Sequence, residues 1–120
     1  MNDGTANLIS ASLPITGLSA YSYHEADQLI EVQVLTKSVY PSSAQEMLSR
    51  VVQSGLALLP AGDRPVQYCW TFESHRVYVA GRSDGASLAL LVENIATTQM
   101  VQIQKMLQGF QELSEAPPVL

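Results

Sequence analysis

The sequence predicts an α/β fold of the α+β type: a five-stranded antiparallel sheet with helices on its faces, in the order (α)ββαβββα. Three observations lead there. Residues 28–36, "QLIEVQVLT", alternate apolar and polar with a period of two, as a strand with one face on a core does. Met47, Leu48, Val51, Val52, Leu56 and Leu59 recur instead at helical spacing. Residues 66–93 then hold three apolar runs separated only by short turns, the pattern of a meander. Helices packed on an antiparallel sheet bury all of these stripes together.

Taken in order, "TANLISASL" (5–13) is a candidate first helix, too short to hold without tertiary support. "GLSAYSYH" (17–24) and residues 28–36 form a hairpin around the polar break Glu25-Ala26-Asp27. Pro41 pushes its predecessor out of the helical region, and Ser43 with Glu46 three residues on predicts a capping box. The helix that follows runs over about 43–58 and ends at Pro60 and Gly62, with Gln45, Arg50, Gln53 and Ser54 on its polar side. In the meander, Val66, Tyr68, Trp70 and Phe72 share one apolar side, and Ser74-His75 breaks the strand. Asp84-Gly85 supplies the positive φ of a hairpin turn. "ASLALLVE" (86–93) is apolar almost throughout, as a strand in the middle of a sheet is. Asn94–Thr98 offers caps for a last helix with the stripe Met100, Ile103, Leu107, Phe110 and Leu113. Two prolines in "EAPPVL" stop any helix, so a frayed tail is expected. One domain over 1–120, with an ordered core at about 8–113, accounts for the chain.

Composition narrows the function. The chain is 47% hydrophobic and only 14% charged, against roughly 25% charged in an average soluble protein. Little charge is left to cover the surface, which points to a docked second chain. Six basic residues against eleven acidic ones give a net charge of -5. Lys37, Arg50, Arg64, Arg76, Arg82 and Lys105 are also scattered, which argues against a nucleic-acid partner. No Lys or Arg precedes Lys37 to begin a secretory leader, and no apolar run approaches the roughly 20 residues of a membrane span. Cys69, as a single cysteine, forms no internal disulfide, and a cytoplasmic protein without membrane insertion is expected.

Catalytic and ligand-binding readings are weak. Cys69, His75 and Asp84 are the residue types of a nucleophile, base and orienter, but they fall in a strand and in two successive turns about 23 Å apart. A packed strand cysteine and solvated turn residues are the expectation. His24 and His75, with Glu25, Asp27 and Glu73 nearby, lack any metal-ligand spacing and are expected to be exposed turn residues. "GRSDG" lacks the length, the lysine and the following helix of a phosphate loop. Tyr21, Tyr23, Tyr68, Trp70 and Tyr78 suit burial in a core or an interface better than a small-molecule pocket. No enzyme and no cofactor is expected.

On these residues the chain resembles the roadblock/LC7 family of longin- and profilin-like domains. Three pieces carry the likeness: "LPITGLSAYSYHEADQLIEV", whose Leu13-Pro14 and Gly17 enter the first hairpin; the Pro-Ser-initiated middle helix; and the final hairpin "HRVYVAGRSDGASLALLVEN". The chain departs at "HEADQ", where the family carries an Asp-Gly turn, and in a shorter first helix. The resemblance implies a homodimer or heterodimer in which middle helices pair and third strands join into one sheet. It further implies a non-catalytic regulator or scaffold of a folded protein partner such as a small Ras-like GTPase, a motor subunit or a signalling protein. Under it, Val66, Tyr68, Trp70, Phe72, Met47 and Val51 are expected at the dimer interface, and Arg50, Gln53 and Ser54 on the partner-facing surface. An alternating strand with that apolar side is an aggregation hazard as a bare edge, and a second copy would cover it. The alternative is a small acidic, dimeric chaperone of the secretion type, offering apolar grooves to an unfolded client.

Overall fold

The computed structural model describes residues 3–25, 28–36, 40–58, 66–82 and 84–113. In chain order the elements are α1 (Asp3–Ser12), β1 (Leu18–Glu25), β2 (Gln28–Val34), α2 (Pro41–Leu58), β3 (Val66–Thr71), β4 (His75–Gly81), β5 (Ala86–Glu93) and α3 (Met100–Glu112). The strands form a five-stranded antiparallel sheet in the spatial order β2-β1-β5-β4-β3. Both the strand count and the order of elements are those the periodicities predict. The first hairpin is present, although Ala26 and Asp27 of its break lie outside the described residues, as do Leu59, Pro60, Gly62, the Leu56 side chain and the tail beyond Leu113.

Two cores sandwich the sheet. On one face Ile9 of α1 and Ile103, Met106, Leu107 and Phe110 of α3 pack on Tyr21, Tyr23, Leu88, Leu90 and Val92. On the other, Ala44, Leu48, Val51 and Val52 of α2 pack on Ala20, Val77, Val79, Ala89 and Leu91. β5 is therefore covered twice and buried from Ala86 to Val92, as its continuous apolar run requires. β1 beside it is buried from Leu18 to His24.

The helix ends depart from expectation. α2 starts at Pro41, where a missing N–H costs nothing, and the Ala44 N–H donates to the Tyr40 carbonyl (3.0 Å). Ser43 thus lies inside the helix and no capping box forms; Glu46 pairs with Arg50 one turn on, at 2.6 Å. α3 begins at Met100 after Gln99, with no side-chain cap, while the Thr98 hydroxyl donates to the Glu93 carbonyl (2.7 Å). Tertiary support does form α1: Leu8 packs on α3 over Gly109, where an added Cβ would sit 3.0 Å from the leucine. Gly17 has φ +92°, and a Cβ there would collide with the Thr98 side chain. Its carbonyl accepts from the Glu93 N–H (2.8 Å), so this glycine stitches the start of β1 to the end of β5.

Candidate interaction surface

β3 is an outer strand whose far edge has no strand partner among the described residues. Tyr68 pairs with Val79 and Trp70 with Val77, so its apolar side faces the α2 layer. Tyr68 and Phe72 reach that core. The Tyr68 hydroxyl donates to the Val52 carbonyl (3.4 Å), and its ring lies against Gly55, where any Cβ would overlap the phenol. Trp70, on the same side, remains 36% exposed. α2 covers the middle of the sheet and stops short of β3, leaving an apolar shelf. Where the helix flank meets it, Ser43, Glu46, Met47, Arg50 and Phe72 line an open cleft of about 240 Å³.

Of the residues expected at an interface, Val66, Tyr68, Trp70, Phe72 and Met47 share this shelf and cleft. Val51 does not. It is fully buried against the sheet, because its helical position points it inward beside Leu48 and Val52, and it has no surface to offer a second chain. Arg50 and Gln53 are exposed and Ser54 is half-buried. Arg50 lines the same cleft as Met47 and Phe72, so it adjoins the shelf rather than facing away from it.

Several polar residues take places the sequence reading did not assign. His24, expected in an exposed turn, is 1% exposed on β1, its Nε2 2.7 Å from the Ser22 Oγ. Burial disfavours the imidazolium and lowers its pKa to about 4, so the ring is neutral at pH 7. The Ser-x-His spacing, which puts both side chains on one face of a strand, was the available signal. Arg82, in the turn between β4 and β5, is 2% exposed. Its Nε and Nη2 meet the two Asp84 carboxylate oxygens at 3.2 and 3.0 Å, Nη1 donates to Thr5 Oγ1 at 3.1 Å, and the guanidinium lies 4.5 Å over the Phe110 ring. Burial alone would raise the Asp84 carboxyl; the Ala86 N–H and Arg82 outweigh it and hold the pKa below its usual value. The pair ties the turn to α1 and α3, and the Arg-x-Asp spacing was its only trace in the sequence.

Cys69, expected to be packed, is exposed; among the described residues α3 meets that side of β3 at Gln67, whose amide donates to Gln111 Oε1 (2.8 Å). It pairs with Tyr78 on the α1/α3 face of the sheet, whereas His75 has the parity of Val77 and Val79 on the α2 face, and Asp84 is engaged by Arg82. The three residues do not converge. His75 is half-buried, with Nδ1 3.3 Å from the Ser74 hydroxyl. Among the described residues no group of three or more His, Cys, Asp and Glu is placed to hold a metal, and no helix is long and apolar enough to cross a membrane.

No protein-family model matches the chain, and no curated protein matches it significantly. Solved structures do. The gliding protein MglB from Thermus thermophilus aligns with a TM-score of 0.66 at 13% identity, over 96% of this chain and 91% of that one. An MglB described with a tetrameric arrangement aligns at 0.66 and 14% identity, over 92% and 85%. A roadblock/LC7 domain from Streptomyces avermitilis aligns at 0.55 and 16% identity, over 92% and 94%. With the five-stranded antiparallel sheet and the αββαβββα order, these likenesses establish that the chain has the fold of MglB and of the roadblock/LC7 domain.

Proposed function

We propose that this protein is a non-catalytic, dimeric interaction module that regulates or scaffolds a small Ras-like GTPase or another folded signalling partner. One observation carries the reading: the outer strand β3 holds Trp70 36% exposed on a shelf whose neighbours Tyr68 and Phe72 already belong to the α2-side core. A second copy laid against this edge would continue both the hydrogen-bond ladder and the core. The free edge of β3, the shelf and the Met47 flank of α2 form the seam, and the low charge of the chain supports it. The partner-facing surface is the exposed side of α2, with Gln53 clear of the seam and Arg50 and Ser54, on the same flank as Met47, at its border. The likeness of fold to MglB and roadblock/LC7 proteins supports the GTPase as the partner class.

The partner is tested by calorimetric titration of purified small Ras-like GTPases, each loaded with a GTP analogue or with GDP. Binding that depends on the bound nucleotide is expected, weakened about tenfold by Gln53→Arg with the protein's own mass in solution unchanged. Arg50→Glu, at the border, should weaken partner binding and self-association together. Lack of binding to any GTPase in either nucleotide state contradicts the partner class, and binding indifferent to Gln53→Arg contradicts the surface.

A further inference from the structure

The opposite edge of the sheet has features that the seam does not use. β2 pairs only with β1 among the described residues, which leaves its outer side open. The Leu35 N–H donates inward to the Ser19 carbonyl (2.7 Å). By alternation the backbone groups of Gln33 and Glu31 also face β1, and those of Val32 and Val34 face outward; at Ile30 the register shifts, since Tyr23 pairs with Glu31 and His24 with Leu29. The open stretch contains no proline and no lysine, and the register shift at Ile30 confines it to Glu31–Val34.

Its side chains are asymmetric in a way that describes a visitor. Val32 and Val34 pack on the α2-side core, and Ile30, at the register shift beyond them, is 43% exposed. On the α1/α3 face Leu35 is 37% exposed and forms one wall of an open cleft of about 320 Å³, completed by the α1–β1 connection from Leu13 to Gly17. Four residues before Leu35, on the same face, stands Glu31, whose Oε2 is buried without a hydrogen-bond partner among the described residues. A carboxylate oxygen withdrawn from water with no donor is short of a cation or an N–H. A second copy paired on the same edge would bring the amides of Gln28 and Gln33 but no cation, because the residues from Gln28 to Val34 include no basic side chain.

We propose that the β2 edge docks an extended segment of a partner protein by strand addition, the segment carrying a Lys or Arg opposite Glu31 and a large apolar residue four positions away in the Leu35 cleft. Main-chain bonds to Val32 and Val34 hold the segment, and the charge and the cleft select it. The net charge of -5 favours approach of a basic segment.

Selection from a phage-displayed library of random 12-residue peptides against the whole protein tests this directly. Enriched peptides should share a basic residue four positions from Leu, Ile, Met or Phe. A synthetic peptide of that consensus should protect the Val32 and Val34 amides from hydrogen exchange. It should bind roughly tenfold less tightly to Glu31→Gln, which keeps the shape of the side chain and removes its charge. Leu35→Asp should weaken it as well, while the mass of the protein in solution stays as in the wild type. No enrichment, a consensus without the basic residue, binding unchanged in Glu31→Gln, or amides of β2 already protected by self-association without peptide would each overturn the proposal.

Discussion

β5 and β3 belong to one sheet and are both rich in apolar residues, yet β5 is buried from Ala86 to Val92 while four of the six residues of β3 are exposed. The two strands differ in what covers them. β5 has β1 and β4 at its sides and helices over both faces; β3 has one neighbouring strand, and the helix above its apolar side stops at Tyr68 and Phe72. The apolar residues of β5 serve the fold of one chain. Trp70 does so only in part, and 36% of its surface is left outside the packed layer.

Substitutions at the two places should separate these roles. Leu90→Ala empties a fully buried site in β5 and should cost about 3–5 kcal/mol in denaturant unfolding, by the same amount at every protein concentration. Trp70→Ala should cost less in the single chain, about 1–2 kcal/mol for a residue already partly in water, with a further loss that grows where the wild type is associated. Equal, concentration-independent losses would erase the distinction between centre and edge.

The centre of the sheet also hides a titratable group. His24 has a folded pKa of about 4 against 6.5 for an ordinary histidine, so between these values the unfolded chain binds a proton that the folded chain does not. Its contribution is whole above pH 6.5 and is lost as the pH falls towards 4, amounting to about 3 kcal/mol. The stability difference between wild type and His24→Asn, measured in urea from pH 7 to 4.5, should shrink by this order. A difference independent of pH would mean that His24 is hydrated or charged in the folded protein.

Much of this was legible in the sequence, because periodicity reports which face of an element meets a core. The continuous run of β5 announced its central place, and the alternation of Val66, Tyr68, Trp70 and Phe72 announced one apolar side. What periodicity does not report is how far the covering layer extends. That is why the sequence reading packed Cys69 and drew Val51 into an interface, although Val51 lies inward on α2 and Cys69 is exposed. His24 was expected in a turn, and the burial of Arg82 went unread, for a related reason. Each is polar in a turn or at a strand end, and its burial depends on partners local to the fold, the Ser22 hydroxyl in one case and Asp84, Thr5 and Phe110 in the other. Ser43 and Glu46 satisfied a capping pattern, but Pro41 opened the helix two residues earlier.

A smaller change sharpens the boundary between the covered and uncovered parts of β3. Gly55→Ala brings a methyl into the Tyr68 ring and should displace it from α2, costing about 1–3 kcal/mol, with Tyr68→Phe unable to relieve the overlap and Tyr68→Ala able to. If Gly55→Ala is neutral, the strand is not held to α2 at this point and the shelf is wider than described.

Sedimentation equilibrium of the wild type and of Trp70→Lys, from micromolar to several hundred micromolar, tests the role of the β3 edge most directly. The wild type should report about 26 kDa, twice the 13.0 kDa chain, and Trp70→Lys should report the single chain with its fold intact by circular dichroism. A wild type of 13 kDa at the highest concentration, or a Trp70→Lys variant that associates as the wild type does, would contradict the claim that this edge is the seam.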